Sequence, residues 1–360
     1  MVNFSEIALH LAKSPLVQHS LKSLEEAESE LLFSIALEKD RIFREKKSLL
    51  GQPKTIVIAN PTNFGNISDH NCFGNIKILS VESIRDSERN DDLLNDLDNA
   101  LVITTSNIFA DIGIERFSYL YSRLPKTIFA IHDYDNHHWI ACGVQAAIFS
   151  DVYMPSHQAD NLIAARVNSN IVGGLPCGTN QWSFDFIKRH ADSLLSRSRE
   201  NAPLGKYYFY EKFIHRNKLI ATLAESYPSI SLLNGDFHTL TQEQKWDEWS
   251  SHKLHWIIPV LNDLPIRFFD ALVTGGLPLI PSGLKPYVAA LGIPENYYLT
   301  YGPLDIINPK DLVSRANSLF DSEGENGIVE RHRYALENFH VDAIIEKIIA
   351  AVYKVYAIKR

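Results

Sequence analysis

The feature that most constrains this chain is an alternation, starting near residue 54, of short β-branched apolar runs with longer helical patterns. The runs lack clean polar–apolar alternation, which is typical of strands buried on both faces of a parallel sheet. They are TIVIANP, NIKILSV, ALVITTS, TIFAIHDYD, AAIFSDVYM and NIVGGLP. Helical stretches separate several of them, so the order predicts a doubly wound α/β domain over residues 51–181.

A second set of alternating elements begins near residue 204. YYFYEKF, SISLLN, LHWIIPVL and LPLIPS predict strands, and NKLIATLAESY and PIRFFDALVTG predict helices. We assign residues 182–326 to this second α/β domain and residues 327–360 to closing helices that are free to pack back on the first domain. Two such domains in tandem predict a cleft where the carboxyl ends of strands from both sides face one ligand.

Residues 1–50 are predicted to form a helical extension, since leucine and isoleucine recur at three- and four-residue steps among charged residues. Ser14 followed by Pro15 is a good helix start signal. We expect this extension to pack on the first domain; oligomerisation or contact with a membrane surface is the alternative.

Composition narrows the class of protein. A chain of 360 residues with 45% hydrophobic and 22% charged residues is expected to form packed domains of enzyme size. Its net charge of −8 argues against nucleic acid as a partner. Cys72, Cys142 and Cys177 form no CxxC pair, so no zinc module or disulfide framework is expected. The amino terminus has no signal-peptide pattern, which predicts a cytoplasmic protein.

Several common motifs are absent from the sequence, namely GxGxxG after a first strand, GxxxxGK[ST], GxSxG and HExxH. Their absence removes the main sequence support for dinucleotide-dependent oxidoreductases, P-loop phosphotransferases, α/β-hydrolases and zinc proteases.

The most informative stretch is NDLPIRFFDALVTGGLPLIP, residues 262–281. It predicts a helix opened by a capping acid, Asp263, with Arg267 in its first turn and Asp270 one turn later. The helix is expected to stop at Gly275 and Gly276, before an apolar strand. Its positive dipole end and backbone donors suit a diphosphate or another anion. A capped surface helix is the alternative.

HDYDNHHW, residues 132–139, concentrates three His and two Asp at the end of a predicted strand. His132 or Asp133 could take a proton from an acceptor hydroxyl, with Asp135, His137 and His138 beside the acceptor. A metal site is a second interpretation, although the spacing matches no recognised zinc motif. Polar residues that cap the next helix are a third.

Lys212 and Arg216 follow the first strand of the second domain. A basic pair at such a junction could neutralise a leaving phosphate, and a solvated basic helix start is the alternative. Tyr207, Tyr208 and Tyr210 fit strand packing better than a stacking platform.

Together these segments resemble the GT-B glycosyltransferases. Residues 262–281 are similar to their acidic-x7-acidic signature, with Asp270 at the later acidic position and Asn262, eight residues before it, near the earlier one. PCGTNQWSF, residues 176–184, resembles the P-x-G-x5-F segment that leads out of their first domain, and TIFAIHDYD resembles a strand on their acceptor side.

The resemblance implies a GT-B fold: two Rossmann-like doubly wound domains facing a cleft, with the amino-terminal helical extension added. It implies transfer from a nucleotide-activated sugar to a glycan or lipid-linked saccharide, in bacterial surface-polysaccharide assembly. The donor would meet a set of residues in the second domain: Lys212, Arg216, Asn262, Asp263, Arg267, Asp270, Gly275 and Gly276.

The resemblance implies no required metal or cofactor. Peripheral membrane association and homo-oligomerisation stay open, as do the sugar, the base, the acceptor and the stereochemical course. The alternatives are a GT-B-like sugar-nucleotide epimerase or hydrolase, which would need no acceptor, and a non-catalytic GT-B-like subunit.

Overall fold

The structure of the protein is a computed structural model. It describes residues 30–49, 51, 53–59, 66–67, 76–85, 91–134, 140–157, 164–165, 167–233, 240–261 and 263–358. The predicted helix start at Ser14 and Pro15 lies outside these residues.

The described elements alternate between strands and helices. Those of the first half are α1 (Glu30–Leu49), β1 (Thr55–Ala59), β2 (Ile76–Leu79), α2 (Val81–Arg85), α3 (Asp91–Leu97), β3 (Ala100–Thr105), α4 (Ser106–Ile112), α5 (Ile114–Arg123), β4 (Ile128–Asp133), α6 (Ile140–Ile148) and β5 (Val152–Pro155).

The second half continues the alternation. Its elements are α7 (Phe184–His190), α8 (Ser193–Ser196), β6 (Gly205–Tyr208), α9 (Ile214–Ser226), β7 (Ile230–Leu233), α10 (Gln242–Ser250), β8 (Leu254–Trp256), α11 (Ile266–Val273), β9 (Leu277–Pro281), α12 (Lys285–Ala290), β10 (Leu299–Tyr301), α13 (Pro303–Ile307), α14 (Pro309–Phe339) and α15 (Val341–Tyr356). Gly324 interrupts α14 with a non-helical conformation.

Both halves contain parallel strands in the same spatial order. The first sheet runs β2-β1-β3-β4-β5. In the second half β6 pairs with β7, and β8, β9 and β10 pair in turn. A parallel bridge between Leu204 and His255 joins these two groups, which gives the order β7-β6-β8-β9-β10. The molecule is therefore a mixed α/β protein with parallel sheets, as the alternation predicts.

Successive side chains of the first sheet enter two different cores, because neighbouring residues of a strand point to opposite faces. Ile56 and Ile58 of β1 belong to one core cluster, whereas Val57 and Ala59 belong to the other. The first cluster continues through α15 into the second half, and the second cluster contains Phe109 of α4 together with apolar residues of α5 and α6. Burial on both faces explains why the strands read as unbroken apolar runs.

One predicted strand is wrong. NIVGGLP forms no strand in the structure, where Ile171 makes only an isolated bridge to Tyr153 of β5. The segment then leaves the sheet, with Gly174 at a positive φ of 80°, and leads into the crossing toward the second half. A β-branched apolar pair is typical of a strand, but beyond this bridge no strand among the described residues continues the ladder.

The two segments in which the chain passes between the halves are paired. The segment that leads from the first half to the second, which we call the outward crossing, contains Thr179. Thr179 forms a parallel bridge with His340, which lies between α14 and α15 on the segment that returns. The Thr179 amide donates to Phe339 O at 2.8 Å, and the Val341 amide donates to Thr179 O at 3.0 Å. The His340 ring, fully buried, hydrogen-bonds Trp182 O through Nε2 at 3.0 Å. These bonds fix how the halves meet.

Helix α1 packs against the amino-terminal edge of the first sheet through two buried lysines. Lys46 Nζ lies 2.8 Å from both Asp151 Oδ2 and Thr127 O. Lys39 Nζ donates to the hydroxyl of Tyr121 at 2.7 Å and to Ser150 O. Both ammonium groups also lie over the Tyr121 ring. No described helix is both long enough and apolar enough to cross a membrane.

We expect Gly178→Ala to destabilise the fold by about 2–5 kcal/mol, because Gly178 has a φ of 67° and a Cβ there would collide with Phe339 O. Gly174→Ala is the matched control, with the same left-handed strain and open space around it, and should cost about 1–2 kcal/mol. Chemical denaturation followed by circular dichroism measures both variants. Equal losses of unfolding free energy in the two variants would show that the paired crossings tolerate a side chain at position 178.

Candidate functional site

A cavity of 600 Å³ opens at the carboxyl ends of β6 and β8, beside the start of α9. Its lining comprises residues 212–216, Val260 and Leu261. Helix α9 begins at Ile214, and its N-cap residue Phe213 makes no side-chain capping hydrogen bond. The positive end of the helix dipole is therefore directed to this cavity, where it favours an anion.

Two arginines are fixed around one buried tyrosine beside this cavity. The ring of Tyr207 is fully buried, and its hydroxyl donates to Trp256 O and accepts from the Ile258 amide. The guanidinium of Arg216 lies 5.0 Å from the centre of the Tyr207 ring, and that of Arg267 lies 5.3 Å from it. Cation–π contact with a buried ring holds both charges in place.

The backbone completes the positions of these arginines. Arg216 donates to Tyr208 O at 2.9 Å and to Ile258 O, so it ties the ends of β6 and β8 together. Arg267 donates to Lys206 O at 3.0 Å. Burial lowers the pKa of Arg216, but guanidinium remains charged because its unperturbed pKa is so high. The pair supplies fixed positive charge, with Arg216 buried and Arg267 partly buried.

Lys212 and His215 differ from the arginines because their side chains are exposed at the cavity. Within the described residues neither side chain makes a hydrogen bond or an ion pair. Lys212 is therefore a cation that a ligand can engage without breaking a bond to any described residue. The sequence pairs Lys212 with Arg216. In the structure Lys212 is exposed while Arg216 is buried and bonded to backbone carbonyls, and their roles toward a phosphate stay a prediction.

Asp263 does not cap α11, and that part of the sequence prediction is wrong. The helix begins at Ile266 with Pro265 as its N-cap, and Pro265 offers no side-chain hydrogen bond. The Asp263 carboxylate instead accepts from the amides of Val260, at 2.7 Å, and Leu261, at 3.3 Å. It therefore shapes the loop that closes one side of the cavity, which is a local use of aspartate that competes with capping.

Gly275 and Gly276 form the turn that ends α11. The Gly275 amide donates to Leu272 O and the Gly276 amide to Ala271 O, a Schellman arrangement with Gly275 at a φ of 73°. A Cβ at Gly276 would collide with the ring of His255, and one at Gly275 would press on Ile328. Both amides are occupied by hydrogen bonds of the turn, and glycine is needed at both positions because a side chain would collide with its neighbours. The proposed donor site therefore does not include Gly275 or Gly276.

Asp270 lies at the junction of the halves, fully buried. Its carboxylate accepts from the Thr179 hydroxyl at 2.6 Å and from the Gln181 amide. Burial raises the pKa of Asp270 to about 7, although these two hydrogen bonds and the nearby Arg267 and Lys245 act to lower it. In this structure the Asp270 carboxylate is thus hydrogen-bonded to two side chains of the outward crossing. Its contact with a donor ribose stays a prediction.

His132 ends β4 and is also fully buried. Its Nε2 lies 2.9 Å from Leu175 O and 3.0 Å from the Ser156 hydroxyl. A carbonyl can only accept, so Nε2 carries the hydrogen, while Nδ1 has no hydrogen-bond partner among the described residues. Burial lowers the pKa of His132 to about 4, which keeps the ring neutral near pH 7. Its role in catalysis stays a prediction.

Asp133 follows His132 and is buried among hydroxyl groups. It accepts from Ser106, the first residue of α4, and from Tyr153 of β5. Gly143 of α6 leaves room for this contact, because a Cβ there would lie 2.9 Å from the Tyr153 hydroxyl oxygen. The carboxylate therefore joins three elements at the carboxyl edge of the first sheet, and its chemical role is untested.

The carboxyl edges of the two sheets are in contact near these residues. The hydroxyl of Tyr287, in α12 after β9, donates to Ser156 O just after β5. The Cys177 thiol lies 3.6 Å from Leu264 O, which follows β8. Asp135, His137, His138 and Asn262, which the sequence also nominates, lie outside the described residues. Among the residues that are described, no group of three or more His, Cys, Asp or Glu could hold a metal ion.

Comparison with known proteins bears on the fold. No protein-family model and no curated protein matches the sequence. Among solved structures, the chain is similar to sucrose-phosphate synthase from Thermosynechococcus elongatus, with a TM-score of 0.50 and 12% sequence identity. The match covers 84% of this chain and 99% of that one. That protein is a GT-B glycosyltransferase. The comparison supports a GT-B fold.

We expect Asp270→Asn to change how stability depends on pH. The folded pKa of Asp270, about 7, lies above its unfolded value of 3.8, so ionisation favours the unfolded chain and stability falls as pH rises from about 4 to 7. Asparagine cannot ionise. Relative to the wild type, the unfolding free energy of the variant should therefore increase by about 3 kcal/mol between pH 4.5 and pH 8.

Chemical denaturation across this pH range measures the difference directly. Because other buried groups such as His132 titrate in both proteins, their contributions cancel when the two curves are subtracted. A difference that stays constant with pH would mean that Asp270 is already ionised at low pH in the folded protein.

Proposed function

We propose that the chain is a glycosyltransferase that moves a sugar from a nucleotide-activated donor to a glycan or lipid-linked saccharide acceptor. The observation that carries the proposal is the cavity at the start of α9, where the side chains of Lys212 and His215 make no hydrogen bond or ion pair with the described residues. Arg216 in the lining and Arg267 nearby are held by backbone carbonyls. A similarity in fold to a GT-B glycosyltransferase supports the same assignment.

In this proposal residues 51–181 and 182–326 are two Rossmann-like domains that face each other at the Tyr287–Ser156 contact. The donor diphosphate enters the cavity with its oxygens on Lys212 and toward the α9 amino terminus. Charge grows on the leaving phosphate as the glycosidic bond breaks, so cations already in place lower the barrier without having to reorganise. The helix dipole and the basic side chains neutralise the diphosphate, and the proposal requires no metal.

The acceptor is placed on the side of the first sheet, near the ends of β4 and β5. There Asp133 and His132 organise Ser106, Tyr153 and Ser156. A role in surface-polysaccharide assembly at the inner face of a membrane belongs to the proposal too, and it rests on the sequence resemblance alone.

A specific observation favours a second candidate, the non-catalytic GT-B-like subunit. Asp270, His132 and Asp133 are all fully buried and hydrogen-bonded to other parts of the chain. A subunit would keep these bonds for stability and would need no donor. It predicts that nucleoside diphosphates do not bind at the α9 cavity.

Isothermal titration with UDP, GDP, dTDP and ADP tests the proposal. One nucleotide family should bind, and Lys212→Ala should weaken that binding about fivefold or more, since the lysine provides a charge-assisted contact. Lys218→Ala is the matched control, because Lys218 is exposed on α9, just after Lys212 in the chain, and lies outside the cavity lining. Equal losses in both variants would point to a general effect of charge and contradict the site.

Product analysis separates the enzymatic alternatives. Consumption of the nucleotide sugar in the absence of any acceptor would identify a hydrolase or an epimerase. Turnover that requires a saccharide acceptor supports the transferase, and binding of no nucleotide at millimolar concentration supports the subunit.

A further inference from the structure

A second cavity, of 730 Å³, lies between helix α1 and helices α5 and α6. Its walls are mainly apolar and include Ile42, Ile114, Ile148 and Phe149, while Lys39 and Lys46 line its inner end. The volume falls within the range of about 300–1,000 Å³ that is typical of small-molecule sites. None of the residues assigned to glycosyl transfer contributes to this lining.

The cavity lies at the opposite edge of the first sheet from His132. The lysine partners Thr127 and Asp151 come directly before β4 and β5, at their amino-terminal ends, whereas His132 and Asp133 end β4. A ligand here would therefore be separate from the donor and from the acceptor.

The inner end of the cavity holds more positive than negative charge. Lys46 pairs with Asp151, and Asp151 also accepts from the Tyr121 hydroxyl at 2.9 Å and from the Phe129 amide at 2.8 Å. Lys39 donates to a hydroxyl and to a backbone carbonyl, so within the described chain neither of these bonds is to a carboxylate. Two buried ammonium groups thus share a single carboxylate.

A buried ammonium without its own counter-ion is costly, because burial removes its hydration. Only 7% of Lys39 is exposed, and burial together with the charge of Lys46 lowers the pKa of Lys39 to about 7, although Asp151 acts to raise it. An anion beside Lys39 would supply the missing charge and favour its protonated form.

The mouth of the cavity disfavours an anion at its surface. Glu38, Arg41 and Glu45 line it on α1, and Arg41 is bonded to both glutamates, which leaves one net negative charge. Inside, the ionisable groups that face the lysines are Tyr121 and Asp151, together with Tyr356 of α15, which is near Asp151. A ligand that places its charge inside and its apolar part along the walls fits this distribution.

We propose that this cavity binds a single-chain amphipathic anion of the fatty-acid class, with the carboxylate on Lys39 and the aliphatic chain between α1 and helices α5 and α6. The proposal is independent of the proposed glycosyl transfer, because it involves different residues at a different edge of the sheet. It also explains why lysine occupies a position where an apolar residue would pack at lower cost.

Isothermal titration of the full chain with decanoate and with decanol tests the proposal. Decanoate should bind about tenfold tighter than decanol or better, because only the carboxylate can pair with Lys39. At pH 8 decanoate binding should take up close to one proton, measured in buffers of different ionisation enthalpy, and decanol binding should take up none. Decanoate affinity should fall as pH rises from 6.5 to 9.

Lys39→Met should remove the preference for decanoate and the proton uptake while decanol still binds. Lys47→Met is the matched control, since Lys47 is exposed on the same helix and outside the lining, and it should behave as wild type. If circular dichroism shows that Lys39→Met does not fold, the pH and proton measurements on the wild-type chain decide.

Three results would overturn the proposal: equal affinity for decanoate and decanol, decanoate binding without proton uptake, or no saturable binding by the full chain. The last result would mean that another occupant, such as residues 1–29 or a partner, covers the cavity. Failure of nucleoside diphosphates to bind at the α9 cavity would leave the proposal for the α1 cavity unaffected.

Discussion

Thr179 and His340 pair where the chain crosses from one half of the molecule to the other and back, and the placement of both sheets depends on this bridge. Gly178 lets the crossings approach by lacking a side chain. Asp270 holds Thr179 from the second half, and the His340 ring hydrogen-bonds the carbonyl of Trp182. Two short stretches of backbone therefore determine which strand ends face each other.

The charged residues near the α9 cavity differ in how the protein holds them. Arg216 and Arg267 donate hydrogen bonds to backbone carbonyls and pack on the Tyr207 ring, so the positions of their charges are fixed. Lys212 is exposed at the same cavity and makes no hydrogen bond or ion pair with the described residues. In the proposed transferase, positive charge that is already fixed in place would stabilise the leaving phosphate as its charge grows.

The sequence predicted the alternation of strands and helices because burial on both faces of a parallel sheet leaves an unmistakable apolar run. It could not distinguish the strand-like Ile171–Val172 pair from a strand, since pairing depends on neighbours far along the chain. The basic junction at Lys212 and Arg216 was identifiable from its position after a strand. The part played by Tyr207 was not, because a tyrosine beside two distant arginines gives no local signal.

The same reasoning explains the error at Asp263 and the packing around Gly275 and Gly276. An aspartate before a proline and a helical pattern suggests a cap, yet the nearer amides of Val260 and Leu261 take its carboxylate. Gly275 and Gly276 predict the end of the helix correctly, but the sequence does not show that Ile328 and His255 occupy the space that their side chains would fill. Both outcomes depend on tertiary neighbours that a single sequence does not reveal.

Hydrogen–deuterium exchange with and without the nucleoside diphosphate that binds best is the most direct test of the central claim. That claim is that an anion binds at the junction of β6 and α9. The account predicts slower exchange in residues 209–217 and 258–264, with the α1 segment unchanged. Slower exchange confined to other regions, in a protein that demonstrably binds the nucleotide, would contradict it.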